Sequence, residues 1–299
     1  MHADRIVISG SSGLIGTALA ASLRTDGFEV TRLVRRSANQ PDEVEWHPER
    51  QPLDPAVLAG SKAVVNLGGA SIGHLPWTPK YRRTLISSRL QPTRTLAEAI
   101  RLVGAEAPHF VSASAVGFYG DRPGEQLTEL SGPGETYLAR LCREWERAAL
   151  DAGDHARVAL LRTAPLLHPQ AVLKPLVTLT RLGLSGPLGG GRQVWPWISL
   201  ADEVGAIKHV IAHGITGPVN LTGPETASAN DVGRELARQL RRPYAIPAPK
   251  PALRLALGRD AADSLLLADA SVLPETLGDS GYAFIHPTVA LAIASELDR

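Results

Sequence analysis

Several features are scarce in this chain, and each scarcity argues against a class of protein. The 299 residues include one cysteine, Cys142, which excludes an internal disulfide and a cysteine-based zinc site. No apolar run approaches the roughly 20 residues that a membrane-spanning helix needs, so we expect no membrane association. Lys plus Arg number 31 and Asp plus Glu number 30, and this balance argues against a nucleic-acid-binding surface.

The remaining composition is that of a folded domain with many short connections. Hydrophobic residues make up 44% of the chain, which is enough for a substantial core, and aromatic residues only 5%. Glycine at 28 residues and proline at 23 predict frequent turns, and there are no internal repeats. The first strand is expected within about five residues of the start, which leaves no room for a signal peptide and predicts a cytoplasmic protein.

The most informative stretch follows the first predicted strand. A short β-branched run leads into three regularly spaced glycines, and an amphipathic helix continues from there. Such a turn lets the backbone approach a pyrophosphate, whose charge is stabilised by the N–H groups and positive dipole of the helix start. An ordinary tight turn is the alternative. The residues expected to contact a dinucleotide here are Gly10, Ser12, Gly13, Leu14, Ile15 and Gly16.

The end of the second predicted strand indicates which dinucleotide is bound. In such folds an acid at this point binds the ribose 2′-hydroxyl of NAD, whereas a basic residue accommodates the 2′-phosphate of NADP. Here Val34 is followed by Arg35 and Arg36, and no acid occurs before Asp42. Two arginines in a surface loop could simply be solvated, but their position at this strand end favours NADP(H).

The third predicted strand also ends in residues that suit a cleft lined by backbone. These are the small residues Gly68, Gly69 and Ala70. The next helix is predicted to begin at Pro79 and to break near Pro92, because proline lacks the N–H that a helix interior uses. Arg89, in this helix, either contacts the cofactor or lies on the surface, and its chemistry alone leaves both readings open.

The fourth predicted strand carries the candidate catalytic hydroxyls. Ser114 lies near its end and Tyr119 follows shortly afterwards, while Ser112, also near the end of the strand, is expected to contact the cofactor. A hydroxyl at this position could donate a hydrogen bond to a substrate oxygen beside the nicotinamide. The alternative is that small residues here simply allow close packing.

The second half of the chain changes character after the fifth predicted strand. A glycine-rich loop precedes Trp195 and Trp197, and rigid aromatic residues beside such a loop suit a substrate pocket or a satellite core. His209 and His213 have a spacing that can chelate a metal on one helical face. Because no third ligand accompanies them, we favour an ordinary helix face and predict no metal site.

Motifs along nearly the whole chain resemble the extended short-chain dehydrogenase/reductase superfamily. Within it, the chain is similar to the YfcH-like group of predicted epimerases, which includes a human epimerase family protein. The motifs are Gly10-x-x-Gly13-Leu-Ile-Gly16, Asn66-Leu-Gly-Gly-Ala-Ser-Ile72, Ile86-Ser-Ser-Arg89-Leu90, Val116-Gly-Phe-Tyr-Gly120, Cys142-x-x-Trp145-Glu146, Arg162-Thr-Ala-Pro-Leu166, Pro196-Trp-Ile-Ser-x-x-Asp202 and Gly281-Tyr-x-Phe-x-His286-Pro287.

The resemblance implies a cofactor, NADP(H), and the residues that hold it. It assigns to the cofactor the glycine turn, Arg35, Arg36, Leu67, Gly68, Arg89 and backbone near Leu166. It also implies a general acid/base pair, a tyrosine with a lysine four residues later, which this group lacks. Leu138 and Cys142 stand at those positions, so the stand-in acid/base would be Tyr119, Tyr137 or a residue of the second lobe, with Ser114 orienting the substrate oxygen.

Together these observations predict an α/β protein with a Rossmann-type doubly wound parallel sheet and a smaller carboxyl-terminal substrate lobe. We assign residues 1–165 and 203–241 to the cofactor-binding domain, and 166–202 and 242–299 to the smaller lobe. The expected function is NADP(H)-dependent oxidation, reduction or epimerisation of a small molecule of unknown identity. A non-catalytic NADP(H)-binding regulator is the alternative, and both a monomer and a homodimer remain open.

Overall fold

The computed structural model describes residues 4–297, which fold around one large parallel sheet. Its strands, in chain order and within those residues, are β1 (Arg5–Ser9), β2 (Glu29–Val34), β3 (Glu43–Glu45), β4 (Ala63–Asn66), β5 (His109–Ala115), β6 (Gln126–Leu127), β7 (Val158–Thr163), β8 (Gly217–Leu221) and β9 (Ser271–Val272). Seven of them form a parallel sheet in the spatial order β3-β2-β1-β4-β5-β7-β8. The remaining two, β6 and β9, pair in parallel with each other.

The helices cover both faces of the main sheet, as right-handed crossovers between parallel strands require. They are α1 (Leu14–Thr25), α2 (Pro79–Val103), α3 (Tyr137–Leu150), α4 (Leu173–Arg181), α5 (Leu200–His213), α6 (Ala229–Gln239), α7 (Lys250–Leu257), α8 (Arg259–Leu265), α9 (Glu275–Asp279) and α10 (Val289–Leu297). The predicted fold class, a Rossmann-type doubly wound sheet, is therefore confirmed.

Alternation along the strands divides the apolar side chains between two cores. On one face, Ile6, Ile8 and Val111 pack with α1 and α5. On the other face, Val7 and Phe110 pack with α2 and the end of α3. Because side chains alternate along a strand, Ser112 and Ser114 share the second face with Phe110.

The predicted break at Pro92 is wrong, because α2 runs without interruption from Pro79 to Val103. Proline removes one N–H from the helix interior, but Pro92 is buried together with Leu90 and Leu96. The Thr93 hydroxyl also donates a hydrogen bond to the Arg89 carbonyl at 2.7 Å. Burial of this face outweighs the loss of one intrahelical hydrogen bond.

The carboxyl-terminal segment is fastened to the main sheet by buried carboxylates. Glu129 Oε1 accepts hydrogen bonds from the backbone N–H groups of Asn220 in β8 and Thr276 in α9. Asp202, at the start of α5, accepts from the N–H groups of Ile285 and His286. The tail is therefore an integral part of the fold.

The division into two lobes stays a prediction. Helix α6, which we assigned to the cofactor-binding domain, shares a core with α4, α10 and the buried Trp197. Within residues 4–297, no helix has both the length and the apolarity that crossing a bilayer requires.

A buried acid in α5 gives the fold a testable pH dependence. Glu203 is fully buried, its Oε1 accepts a hydrogen bond from the Thr163 hydroxyl at 2.9 Å, and its Oε2 has no partner among the described residues. Burial raises the pKa of Glu203 from 4.5 to about 8. Folding therefore favours the protonated form, and the stability that Glu203 contributes is greatest at acid pH and declines as the pH rises towards 8.

We expect Glu203→Gln, which keeps a neutral side chain of similar shape, to raise the melting temperature more at about pH 8.5 than at about pH 5. The measurement is thermal unfolding of both proteins at the two pH values. Glu98→Gln, on the exposed side of α2, serves as the matched control and should show no such difference. A gain or loss that is the same at both pH values would contradict the protonated state of Glu203.

Candidate functional site

The glycine turn between β1 and α1 is shaped by close backbone contacts. Gly10 has φ +74°, and a Cβ there would lie 2.7 Å from the Leu67 carbonyl carbon. A Cβ on Gly16 would lie 2.3 Å from the Gly10 carbonyl oxygen. Any side chain at these two positions would therefore push β1, β4 and α1 apart.

The start of α1 is left open for an anion. Gly13 is the residue before the helix, and no side chain forms a hydrogen bond with the first N–H groups of α1. The first turn of α1 also contains no acidic residue. Ser12 and Gly13 are exposed, and Leu14 and Ile15 are half-buried. Free N–H groups and the positive end of the helix dipole meet here, which fits a pyrophosphate.

Arg35 and Arg36 differ in what their charges contact. Arg36 donates two hydrogen bonds to Glu43, at 2.8 and 2.6 Å, and the Arg36 guanidinium lowers the pKa of this buried carboxyl to about 2. Arg35 is exposed and has no ion-pair or hydrogen-bond partner among residues 4–297. Arg35 is thus the cation available at the end of β2, and the pairing of Arg36 with Glu43 is a feature that the local sequence did not reveal.

Arg89 lies beside the end of β4, together with the glycines predicted there. Its guanidinium donates to the Leu85 and Ala70 carbonyls at 3.1 and 3.0 Å, and a Cβ on Gly69 would lie 3.2 Å from its Cζ. No carboxylate lies within 4 Å of it in the described part of the chain, and burial lowers the pKa of Arg89. A largely buried cation without an acid partner suits a site for an anionic ligand.

A buried hydrogen-bond chain holds α2 and α3 against this edge of the sheet. Ser9 Oγ donates to Asn66 Oδ1 at 2.6 Å, and Asn66 Nδ2 donates to Thr93 Oγ1 at 2.8 Å. Trp145 Nε1 donates to the same Thr93 oxygen at 2.9 Å, and the Arg89 guanidinium lies over the Trp145 ring. Asn66 therefore bridges β1 and α2, and its Oδ1 also accepts from the Gly68 N–H in the turn at 3.4 Å.

The two serines of β5 lie in the interior instead of facing an open cleft. Ser112 is fully buried, so the expectation that it contacts a cofactor is not supported by its position. Ser114 is 4% exposed and donates its hydroxyl proton to Glu146 Oε1 at 2.7 Å. A hydroxyl has one proton, so Ser114 has none left to donate to a substrate oxygen in this arrangement.

Tyr119 is also buried, and its hydroxyl is engaged on both sides, so its role as an acid/base stays a prediction. Its hydroxyl donates to Asn220 Oδ1 at 2.7 Å and accepts from Arg162 Nη1 at 2.8 Å. The side chain has no exposed surface, and burial raises the pKa of Tyr119. These contacts make Tyr119 a structural member of a polar network.

Tyr137, the first residue of α3, is the one candidate hydroxyl with an exposed surface. It is half-buried, and its hydroxyl donates to the Arg82 carbonyl at 3.2 Å. Burial raises the pKa of Tyr137, and the nearby charges of Arg82 and Arg89 lower it by a smaller amount. The hydroxyl is therefore protonated at neutral pH and can act as an acid.

Buried side chains without an ionised group occupy the positions that correspond to the usual tyrosine and lysine. Leu138 and Cys142 are 8% and 3% exposed, and a Cβ on Gly117 would lie 3.3 Å from Leu138 Cβ. Burial raises the pKa of the Cys142 thiol to about 12, so it is not a nucleophile at neutral pH.

Of the two predicted substrate-binding tryptophans, only Trp195 has an exposed surface. Trp197 is 1% exposed and donates its indole N–H to the Glu225 carbonyl at 2.9 Å, which places it in the core shared by α4, α6 and α10. Trp195 is half-buried, and its indole N–H donates to the Leu266 carbonyl at 3.1 Å. Leu166 is half-buried just beyond β7.

The histidine pair of α5 is engaged within the protein. His209 Nε2 lies 2.9 Å from Ser280 Oγ, and His213 Nδ1 lies 2.9 Å from the His209 carbonyl oxygen. Across residues 4–297, no three side chains of His, Cys, Asp or Glu are grouped as metal ligands would be.

Two family models match this sequence. Residues 6–222 match the NAD dependent epimerase/dehydratase family, and residues 248–296 match a domain of unknown function, DUF1731. The second match falls on the carboxyl-terminal segment that the buried carboxylates fasten to the sheet.

Relatives and solved structures agree with these matches. Epimerase family protein Mb2239 of Mycobacterium bovis is 38% identical over 297 residues, which cover 98% of each chain. The crystal structure of human epimerase family protein SDR39U1 with NADPH superposes with a TM-score of 0.87 at 27% identity, and the match covers 98% of this chain and 99% of that one. A nucleoside-diphosphate sugar epimerase of Corynebacterium glutamicum has a TM-score of 0.80 at 33% identity, covering 99% of this chain and 58% of that one.

The family match spans the glycine turn, the arginines after β2 and all seven strands of the main sheet. The resemblance read from the sequence motifs is thereby confirmed, and this chain belongs to the NAD dependent epimerase/dehydratase family.

Proposed function

We propose that this chain binds NADP(H) at the carboxyl edge of its main sheet and moves a hydride between the cofactor and a carbonyl or carbinol carbon of a small molecule. The observation that carries the proposal is the uncapped start of α1 after β1, together with Arg35, which follows the neighbouring strand β2 and has no ion-pair partner among residues 4–297. Family membership, and the NADPH in the structure of the human relative, support the choice of cofactor.

The residues present fit a dinucleotide with a 2′-phosphate. The N–H groups at the start of α1 would hold the pyrophosphate, because no side chain occupies the cradle that Gly13 leaves open. Arg35 would bind the 2′-phosphate, while Arg36 is already neutralised by Glu43. Leu67, Gly68, Gly69 and Arg89 would line the cofactor on the β4 side, and Leu166 would contact it beyond β7.

The bound cofactor supplies or accepts the hydride, and the protein must supply or accept the matching proton. Tyr137 is the candidate whose side chain is partly exposed and lies near Arg89, and its hydroxyl would have to leave the Arg82 carbonyl, 3.2 Å away, to donate to a substrate. In the reductive direction, its O–H bond breaks as the substrate carbonyl oxygen becomes a hydroxyl. The raised pKa of Tyr137 keeps its hydroxyl protonated at neutral pH, which is the form that this step needs.

A second candidate function is non-catalytic binding of NADP(H), with the redox state of the cofactor reported to a partner. The observation in its favour is that the other candidate hydroxyls already form hydrogen bonds within the protein. Ser114 is bonded to Glu146, and Tyr119 is enclosed between Arg162 and Asn220. An enzyme would need the Tyr137 hydroxyl for turnover, whereas a sensor would not.

Arg35 is expected to determine which of the two nicotinamide cofactors binds. We expect Arg35→Ala to weaken NADPH binding by roughly 10- to 100-fold and to leave NADH binding nearly unchanged, because only NADPH carries the phosphate that this cation would meet. Arg36→Ala should have a smaller effect, since Glu43 already occupies its guanidinium. The measurement is calorimetric titration of each variant with both cofactors.

The control for this prediction is Arg147→Ala, an exposed arginine on α3 that should change neither dissociation constant. If Arg35→Ala weakened NADPH and NADH equally, the assignment of the 2′-phosphate to this residue would be wrong.

The Tyr137 hydroxyl is expected to be needed for turnover but not for cofactor binding. We expect Tyr137→Phe to reduce carbonyl-dependent NADPH oxidation by about 100-fold or more, without changing the dissociation constant of NADPH, because a positioned acid contributes 10²–10⁴-fold. Tyr119→Phe should instead lower the melting temperature, since it removes a buried hydroxyl that both Arg162 and Asn220 contact.

The assay is the decrease in NADPH absorbance with a panel of aldehydes and ketones. Turnover that is undiminished in Tyr137→Phe would remove this residue from the mechanism. A wild-type protein that binds NADPH but is inert towards the panel would favour the sensor.

A further inference from the structure

The loop between β2 and β3 is tied to a carboxylate that is unusually well enclosed for an edge strand. The Glu43 side chain is 1% exposed, although β3 lies at the edge of the main sheet. Its oxygens accept hydrogen bonds from the Arg36 guanidinium, at 2.8 and 2.6 Å, and from the Asn39 N–H at 3.0 Å. Glu43 therefore holds both the Arg36 side chain and the main chain of the loop.

The neighbouring acid, Asp42, has partners of its own. Arg32 donates two hydrogen bonds to Asp42, at 2.9 and 2.8 Å, and Arg24 pairs with the same carboxylate. Arg32 also approaches Glu43, with 3.1 Å between Nη2 and Oε1. If Glu43 lost its charge, Asp42 would still neutralise Arg32, and Arg36 would be left without an acid among the described residues. The Glu43 charge therefore governs Arg36 in particular.

The Arg36 side chain remains accessible while it is paired. It is 52% exposed, and Arg36 directly follows Arg35 in the chain. A carboxylate and a phosphate can both accept two N–H groups of one guanidinium in the same bidentate geometry. Glu43 and a phosphate bound at the end of β2 would therefore compete for Arg36.

We propose that Glu43 is a specificity-determining residue of the cofactor site. By pairing with Arg36, it leaves Arg35 as the one arginine of the loop that meets the 2′-phosphate, and so limits how much more tightly NADPH binds than NADH. Glu43 acts through Arg36, as a positioning residue rather than as a ligand of the cofactor. This inference rests on the proposed function, because it concerns the same 2′-phosphate contact.

The test is calorimetric titration of Glu43→Gln with NADPH and with NADH, after thermal unfolding has shown that the variant is folded. Glutamine keeps the shape of the side chain and an oxygen that can accept from the Asn39 N–H, but it removes the charge that holds Arg36. We expect NADPH to bind about tenfold more tightly than to the wild-type chain, since the released arginine adds a charge-assisted contact to the phosphate. NADH lacks this phosphate and should bind as before.

The double variant Glu43→Gln/Arg36→Ala identifies the source of the gain. Its NADPH affinity should return to within about twofold of the wild-type value, because the released arginine is no longer present. Glu45→Gln is the matched control. It removes the same charge from the same strand, but Glu45 contacts His47 and no arginine among the described residues. This control should change neither affinity.

A loss of NADPH affinity in Glu43→Gln, or no change, would overturn the inference, because Glu43 would then support the loop without withholding Arg36. A gain that persists in the double variant, or that Glu45→Gln reproduces, would also overturn it. Arg36→Ala alone gives a second test that leaves the buried side chain intact. It should weaken NADPH binding much less than Arg35→Ala does, and an equal loss would contradict the role of Glu43.

Failure of this inference is distinguishable from failure of the proposed function. A wild-type chain that does not bind NADPH would refute the proposed function itself. If the wild-type chain binds NADPH and Arg35→Ala weakens that binding, an unchanged ratio of NADPH to NADH affinity in Glu43→Gln would overturn the role of Glu43 alone.

Discussion

The ion pair between Arg162 and Glu146 is the interaction on which the positions of the Ser114 and Tyr119 hydroxyls depend. Both side chains are nearly inaccessible, and two hydrogen bonds, at 2.9 and 3.0 Å, join them across β7 and α3. Removing one partner of such a buried pair typically costs ~3–5 kcal/mol, because the other charge is left without compensation. The pair therefore fixes its neighbours. Glu146 accepts a hydrogen bond from the Ser114 hydroxyl, and Arg162 donates one to the Tyr119 hydroxyl.

The cofactor half of the site follows a different principle. There, glycines without side chains form the turn before α1, so that main-chain N–H groups remain available to a ligand. Gly10 and Gly16 allow β1, β4 and α1 to approach closely, and Gly13 leaves the helix start open. Arg35 and Arg89 are the two cations at this edge that meet no carboxylate within the described residues. Cofactor binding and substrate chemistry thus rest on separate physical features, and one can persist when the other changes.

The sequence predicted the parallel sheet and the glycine turn because both depend on local patterns. A β-branched run, spaced glycines and an amphipathic helix determine this unit within some twenty residues. The contacts of Ser114 and Tyr119 could not be predicted because their partners are far along the chain, 32 residues away for Glu146 and 101 for Asn220. Two signals pointed to the pair, since Arg162 lies in an apolar strand and Glu146 borders an apolar helix face. The sequence could not show that they meet, nor that Glu43 would neutralise Arg36.

This fold is expected to hold NADP(H) through an open helix start and an unpaired arginine. The decisive measurement is calorimetric titration of the purified wild-type chain with NADPH and with NADH. We expect NADPH to bind at least about tenfold more tightly than NADH, the factor that one charge-assisted phosphate contact supplies. Equal affinity for the two cofactors, or no binding of NADPH, would show that the helix start and Arg35 do not form this site.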